Sequence, residues 1–120
     1  MSDASPPRND DRARYLRPEE KALIKTALGS SIAPNLDKLK VVDADDGGMG
    51  GVRFQTGSST GRVFGSELAR LTYIDVDGIP VSITLNLDSD GNLFELDFWK
   101  IDFSPLLTYP EGQRLGRDDP

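Results

Sequence analysis

Val81, Ile83, Leu85 and Leu87 alternate with Ser82, Thr84, Asn86 and Asp88, the period of two that marks a strand in a sheet with one dry face and one wet face. Phe94, Leu96 and Phe98 repeat the pattern against Glu95, Asp97 and Trp99, which sets two carboxylates and the tryptophan on the face opposite the core. Asp77-Gly78 and the run Asp88 to Asn92 separate these segments, and Asp, Asn and Gly are the residues that tight turns demand. Glu67 to Asp77 precedes them with strand character, and Val52 to Thr56 alternates as well. Lys40 to Asp43 fits an edge strand, while Leu36, Leu39 and Val42 share a spacing of three that leaves a short helix open over Leu36 to Val42; the strand is preferred.

Pro18-Glu19-Glu20 is a helix start, because proline at the first helical position loses no needed N–H and carboxylates meet the positive end of the dipole. Ala22, Leu23, Ala27 and Leu28, with Ile24 beside them, form one apolar stripe, and Gly29 supplies the stop. The predicted fold is α+β: an N-terminal helix packed on one face of an antiparallel β-meander of about five strands. Residues 1–14 are expected to be a disordered lead-in, 15–110 a single domain and 111–120 a flexible tail.

Composition changes the picture mainly by exclusion. With 37% hydrophobic and 28% charged residues the chain has an ordinary folding balance. It has no cysteine and no histidine, which removes disulfides, thiolate nucleophiles, histidine triads and zinc or haem ligation by those side chains. Carboxylates, lysine, tyrosine or an oxygen-ligated metal remain for any catalysis, and no cofactor is implied. No apolar run approaches the roughly 18–20 residues of a membrane span, and Met1 to Pro7 lacks a signal peptide's apolar segment. A cytoplasmic protein without membrane contact is the expectation.

Charge is uneven. Residues 41–102 carry four basic and eleven acidic side chains, a net of −7 within a chain of −6. Such a field repels phosphate backbones, so no nucleic-acid partner is expected, whereas a protein with a basic surface is attracted. The pattern sets no oligomeric state.

Four clusters carry candidate chemistry. Asn86-x-Asp88-x-Asp90-Gly91 matches the start of a calcium loop, with Asp97 at the twelfth place, but both flanks are β-patterned and the turn itself calls for Asp and Gly. The glycines from Gly47 to Gly51 are a candidate cradle for a phosphate, yet no Lys-Ser or Lys-Thr follows and two aspartates precede them. Glu95 and Asp97, two apart on one strand, resemble an acid–base pair such as a glycosidase uses, although alternating acids on a wet face are ordinary. Trp99 is a large apolar group among charges. Either it tucks under a returning segment, for which Lys100 to Pro105 is placed, or it anchors an interface; the returning segment is the expected cover.

Gly91-x-Leu93-Phe94-Glu95-Leu96-Asp97-x-Trp99-Lys100-x-Asp102-Phe103-Ser104-Pro105-Leu106 resembles the C-terminal signature of a family of small bacterial domains with no assigned activity. The Asp46-Gly47-Gly48-Met49-Gly50 turn and the leading pattern Arg14, Leu16, Glu19, Glu20 resemble that family too. The resemblance carries no functional residue across; by analogy with small acidic immunity partners of bacterial toxins it implies a binding role. The reading is therefore a non-enzymatic acidic binding protein, with Trp99, Asp75, Asp77, Glu95, Asp97 and Asp102 meeting a basic protein. The alternatives are a carboxylate-dependent enzyme using Glu95 and Asp97, and a weak calcium-binding hairpin using Asn86, Asp88, Asp90 and Asp97.

Overall fold

The computed structural model describes residues 12–29, 35–55, 63–111 and 115–117. Its elements are β1 (Arg14–Tyr15), α1 (Pro18–Leu28), a 3-10 turn (Leu36–Lys38), β2 (Lys40–Asp43), β3 (Val52–Gln55), β4 (Phe64–Ile74), β5 (Pro80–Asp88), β6 (Leu93–Lys100) and β7 (Gly116–Arg117). The strands form one antiparallel sheet in the order β1-β2-β3-β6-β5-β4-β7. The class is α+β, as expected, but the sheet is no simple meander. β3 pairs with β6, so β4 lies on the far side of the β4-β5-β6 hairpins from β3. Among the described residues there are seven strands against the expected five, since β1 and β7 are two residues long, too short to show alternation. Leu36 to Val42 divides between the two readings, a 3-10 turn followed by a strand.

Cross-strand rows build the core. Leu71, Ile83 and Phe98 stand side by side on β4, β5 and β6, as do Ala69, Leu85 and Leu96, and all six are buried. Val81, Ile83 and Leu85 are dry, and Leu87 packs half-buried against the same cluster. Phe94 was expected inward, but the register with β5 shifts between Asn86, which pairs with Glu95, and Leu87, which pairs with Leu93; this bulge hands the inward place to Leu93.

In α1 the Glu20 carboxylate reaches back to accept the Arg17 N–H at 2.7 Å, and Gly29 closes the helix at φ 64, a conformation glycine adopts freely. Leu23, Ile24 and Ala27 join the same buried cluster as the sheet residues, and α1 lies against β4. Ala22, expected in the apolar stripe, is exposed. Arg14 pairs with Val41 in β1, Leu115 packs on the core and Gly116 pairs with Thr72.

Gly65 is the second residue of β4 and sits between Phe64 and Ser66, where the register with β5 shifts. A side chain there would run into the carbonyl group of Asp88, with the Ser89 nitrogen 2.8 Å away. Gly65→Ala is expected to lower stability by roughly 1–3 kcal/mol, read from the urea midpoint; an unchanged midpoint would show that this close approach is not needed.

Candidate functional site

The same period of two that buries Leu96 and Phe98 carries Lys100 inward, and there it is fully buried. Isolated, an ammonium in that position would be costly. Its three N–H groups are all used: Asp75 at 2.8 Å, Asp77 at 2.8 Å and the Pro105 carbonyl at 3.0 Å. Asp75, equally buried, accepts from Lys100 and the Leu107 N–H (2.9 Å) on one oxygen, and from Val76 (2.8 Å) and Thr108 (3.1 Å) on the other. Every donor and acceptor is matched, the condition under which a buried polar network stabilises a fold.

This network latches the C-terminal arm to the core face. Leu106 donates its N–H to the Gly48 carbonyl at 3.1 Å, the Tyr73 hydroxyl donates to the Thr108 carbonyl at 2.6 Å, and the Tyr109 ring tilts against Phe98 at 5.6 Å. Gly50 has φ 96 and faces Leu106, Tyr109 and Phe98, leaving room for the arm. The glycine loop is thus a dock for its own chain. Asp46 takes up two of its N–H groups, those of Met49 (3.0 Å) and Gly51 (2.8 Å), which leaves neither for a phosphate.

The arm therefore covers the face opposite Trp99, and the expected cover for Trp99 is not there. The chain turns sharply after β6. Phe103 donates its N–H to the Lys100 carbonyl at 2.8 Å and takes φ 63, in the left-handed region that a bulky residue rarely adopts. The Asp102 carboxylate accepts from the Ser104 N–H and hydroxyl, and those bonds hold its carboxyl below the usual range. The turn sets the Phe103 ring edge-on to Trp99 at 5.0 Å. Trp99 remains 54% exposed, and Ile74, Ile101 and Phe103 are exposed as well. Among the described residues no helix or strand lies over this outer face.

The six residues expected to bind a partner consequently part company. Trp99, Asp97 and Glu95 share the outer face; Asp102 caps the turn beside it; Asp75 and Asp77 are committed to Lys100 on the other side. Glu95 accepts from Asn86 at 3.0 Å and has the Arg53 guanidinium at 3.7 Å. Arg70 is held by Glu67 at 2.7 Å. No such donor reaches Asp97 among the described residues; partial desolvation raises its carboxyl above the usual range, with repulsion from Glu95 and Asp46 adding and Arg53 opposing.

Two shallow hollows flank Trp99. One, about 560 Å³, is mainly apolar and lined by Ile74, Pro80, Trp99 and Ile101 with Thr72 and Ser82. The other, about 420 Å³, is polar and lined by Ser82, Thr84, Asn86, Asp97 and Trp99 together with Phe64 and the Glu67–Arg70 ion pair. Of the two carboxylates proposed as an acid–base pair, Asp97 lines this hollow and Glu95 does not. Asp88 directs one oxygen to the N–H groups of Asp90 (2.9 Å) and Asn92 (3.0 Å), which is the work of a turn. Among the described residues no three acidic side chains are grouped to hold a metal, and no helix is long and apolar enough to cross a membrane.

A family model matches residues 13–110. The chain belongs to the domain-of-unknown-function family DUF6984. Comparison with curated proteins gave no match, and comparison with solved structures gave none. In this DUF6984 domain the leading Arg14 and Glu20 are structural partners: two parallel hydrogen bonds of 2.9 Å join them, and Glu20 is buried. The tail string supplies Lys100, the Phe103 turn and the first residues of the arm. Among the described residues its Asp97 and Trp99 have no such internal partner beyond the Phe103 ring.

Proposed function

We propose that this domain is a non-enzymatic acidic binding protein whose outer sheet face meets a basic protein, in the manner of an immunity partner to a toxin, with the bacterial cytoplasm as its setting. The observation that carries the reading is Trp99, half-exposed on the outer sheet face beside Asp97, a carboxylate that no cation bonds among the described residues. Leaving a tryptophan in water forgoes a large burial gain, and such groups are the commonest anchors of interfaces. The net charge of −6 supports a basic partner by steering its approach.

The test is capture from native lysate by the immobilised domain, alongside a Trp99→Ala, Asp97→Asn variant. The reading expects one basic protein at stoichiometric yield, released by salt and absent from the variant lane. No such protein, or equal capture by the variant, overturns it.

A further inference from the structure

The outer positions of β6 are sorted by polarity. Trp99, with Ile101 just past the end of the strand, stands at one end, Asp97 and Glu95 at the other, and neighbouring strands continue the trend: Pro80, whose carbonyl accepts the Ile101 N–H, and its β4 partner Ile74 at the first end, Thr84 and Asn86 beside the acids. Trp99 and Ser82 belong to both hollows, so the indole is the wall between an apolar seat and a seat bearing the Asp97 carboxylate. Successive outer positions on a strand are about 6.6–7 Å apart.

Resting on the binding reading above, we propose that this face takes an extended segment of its partner in which a bulky apolar side chain is followed two residues later by an arginine. The apolar side chain fills the hollow between Ile74, Pro80 and Ile101. The guanidinium lies along the Trp99 ring and meets the Asp97 carboxylate.

Charge complementarity selects this occupant. Arg70 and Arg53 already have Glu67 and Glu95, and among the described residues Asp97 is an outer carboxylate that neither of them bonds. A planar guanidinium both stacks on an indole and bonds a carboxylate with two N–H groups, which a lysine ammonium does not. A second copy of the chain brings the same surplus of acid and is repelled. The spacing selects an extended segment, since its side chains on one face repeat at the same interval as those of β6.

Trp99 is the only tryptophan, so its emission reports the site directly. The probes are three tryptophan-free peptides in which a phenylalanine and an arginine are separated by none, one or three threonines. The one-threonine peptide is expected to shift Trp99 emission to shorter wavelength and to bind at least tenfold more tightly than the other two, with Asp97→Asn removing about tenfold. Equal binding of all three, preference for the three-threonine peptide (a helical presentation), no binding, or a dimer in sedimentation that Trp99→Ala dissolves would each overturn the inference. The broader binding reading is judged separately by the lysate capture, which uses no peptide: a basic protein lost with the Trp99 and Asp97 variant sustains it whatever the peptides do.

Discussion

Asp75→Ala is expected to destabilise the domain by roughly 3–5 kcal/mol, the usual result of leaving one member of a buried ion pair alone. For a domain of this size that is a fall in melting temperature on the order of 10–20 °C. The loss has two parts. Lys100 keeps Asp77 and the Pro105 carbonyl but loses its fully buried partner, and the Leu107 and Thr108 N–H groups lose their acceptor, so the arm loosens. The double variant Asp75→Leu, Lys100→Met removes the orphaned charge yet leaves those two N–H groups bare; it should recover only part of the stability. Guanidinium denaturation of the two variants measures both. A loss below about 1 kcal/mol for Asp75→Ala would mean that the arm is held by its apolar contacts alone.

The same pair gives a pH window. Burial pushes the Asp75 carboxyl up, but the Lys100 hydrogen bond and the Leu107 and Val76 N–H groups outweigh it and hold the group at about 2. A carboxylate depressed in the folded state contributes stability above its unfolded value of about 3.9 and loses it as pH falls through the folded one. Lys100 is displaced the other way: burial lowers it, and Asp75 and Asp77 more than restore it. Its contribution lasts until pH rises beyond the ordinary lysine range, near 10.4. Melting temperature should therefore be flat with respect to this pair from about pH 4 to pH 10, fall between pH 4 and 2, and lose its acid dependence in part in the Asp75→Leu, Lys100→Met variant.

On the outer face the largest effect is expected from Asp97→Lys, which places a cation where a basic partner's cation should land. Like-charge contact at an interface costs several kcal/mol, so affinity for the captured protein should fall by more than a hundredfold. Trp99→Ala should cost roughly 2–4 kcal/mol of binding, the range of an interface anchor. Neither change touches the core, so thermal stability should stay within about 0.5 kcal/mol of the native domain. Binding measured by calorimetry and stability measured by melting must separate in this way. Variants that bind within threefold of native would move the interface elsewhere, and variants that unfold would make Trp99 a part of the fold.

The strand period was enough to find Ile83, Leu85, Leu96 and Phe98 on one side and Asp97 and Trp99 on the other. The same period, carried two residues past Phe98 and two past Tyr73, also points Lys100 and Asp75 inward. That opposite pair was legible, but a reading that stops at the last apolar residue treats both as surface charge. Other features had no local signal. β3 meeting β6 is a pairing between segments some forty residues apart, and alternation says only that each is a strand. The Phe94 bulge shifts the register without altering composition. Trp99's exposure depends on which side of the sheet the arm takes, and that is decided by the three hydrogen bonds of Lys100 and the left-handed Phe103, not by any property of Trp99.

The most direct measurement is acrylamide quenching of Trp99 emission in the free domain. An arm latched to the opposite face leaves the indole in water, so the account predicts long-wavelength emission and efficient quenching, unchanged when the arm is loosened by Asp75→Ala under conditions where the domain stays folded. Short-wavelength emission that resists acrylamide, and that becomes quenchable only when the arm is loosened, would put the arm over Trp99 and contradict the account.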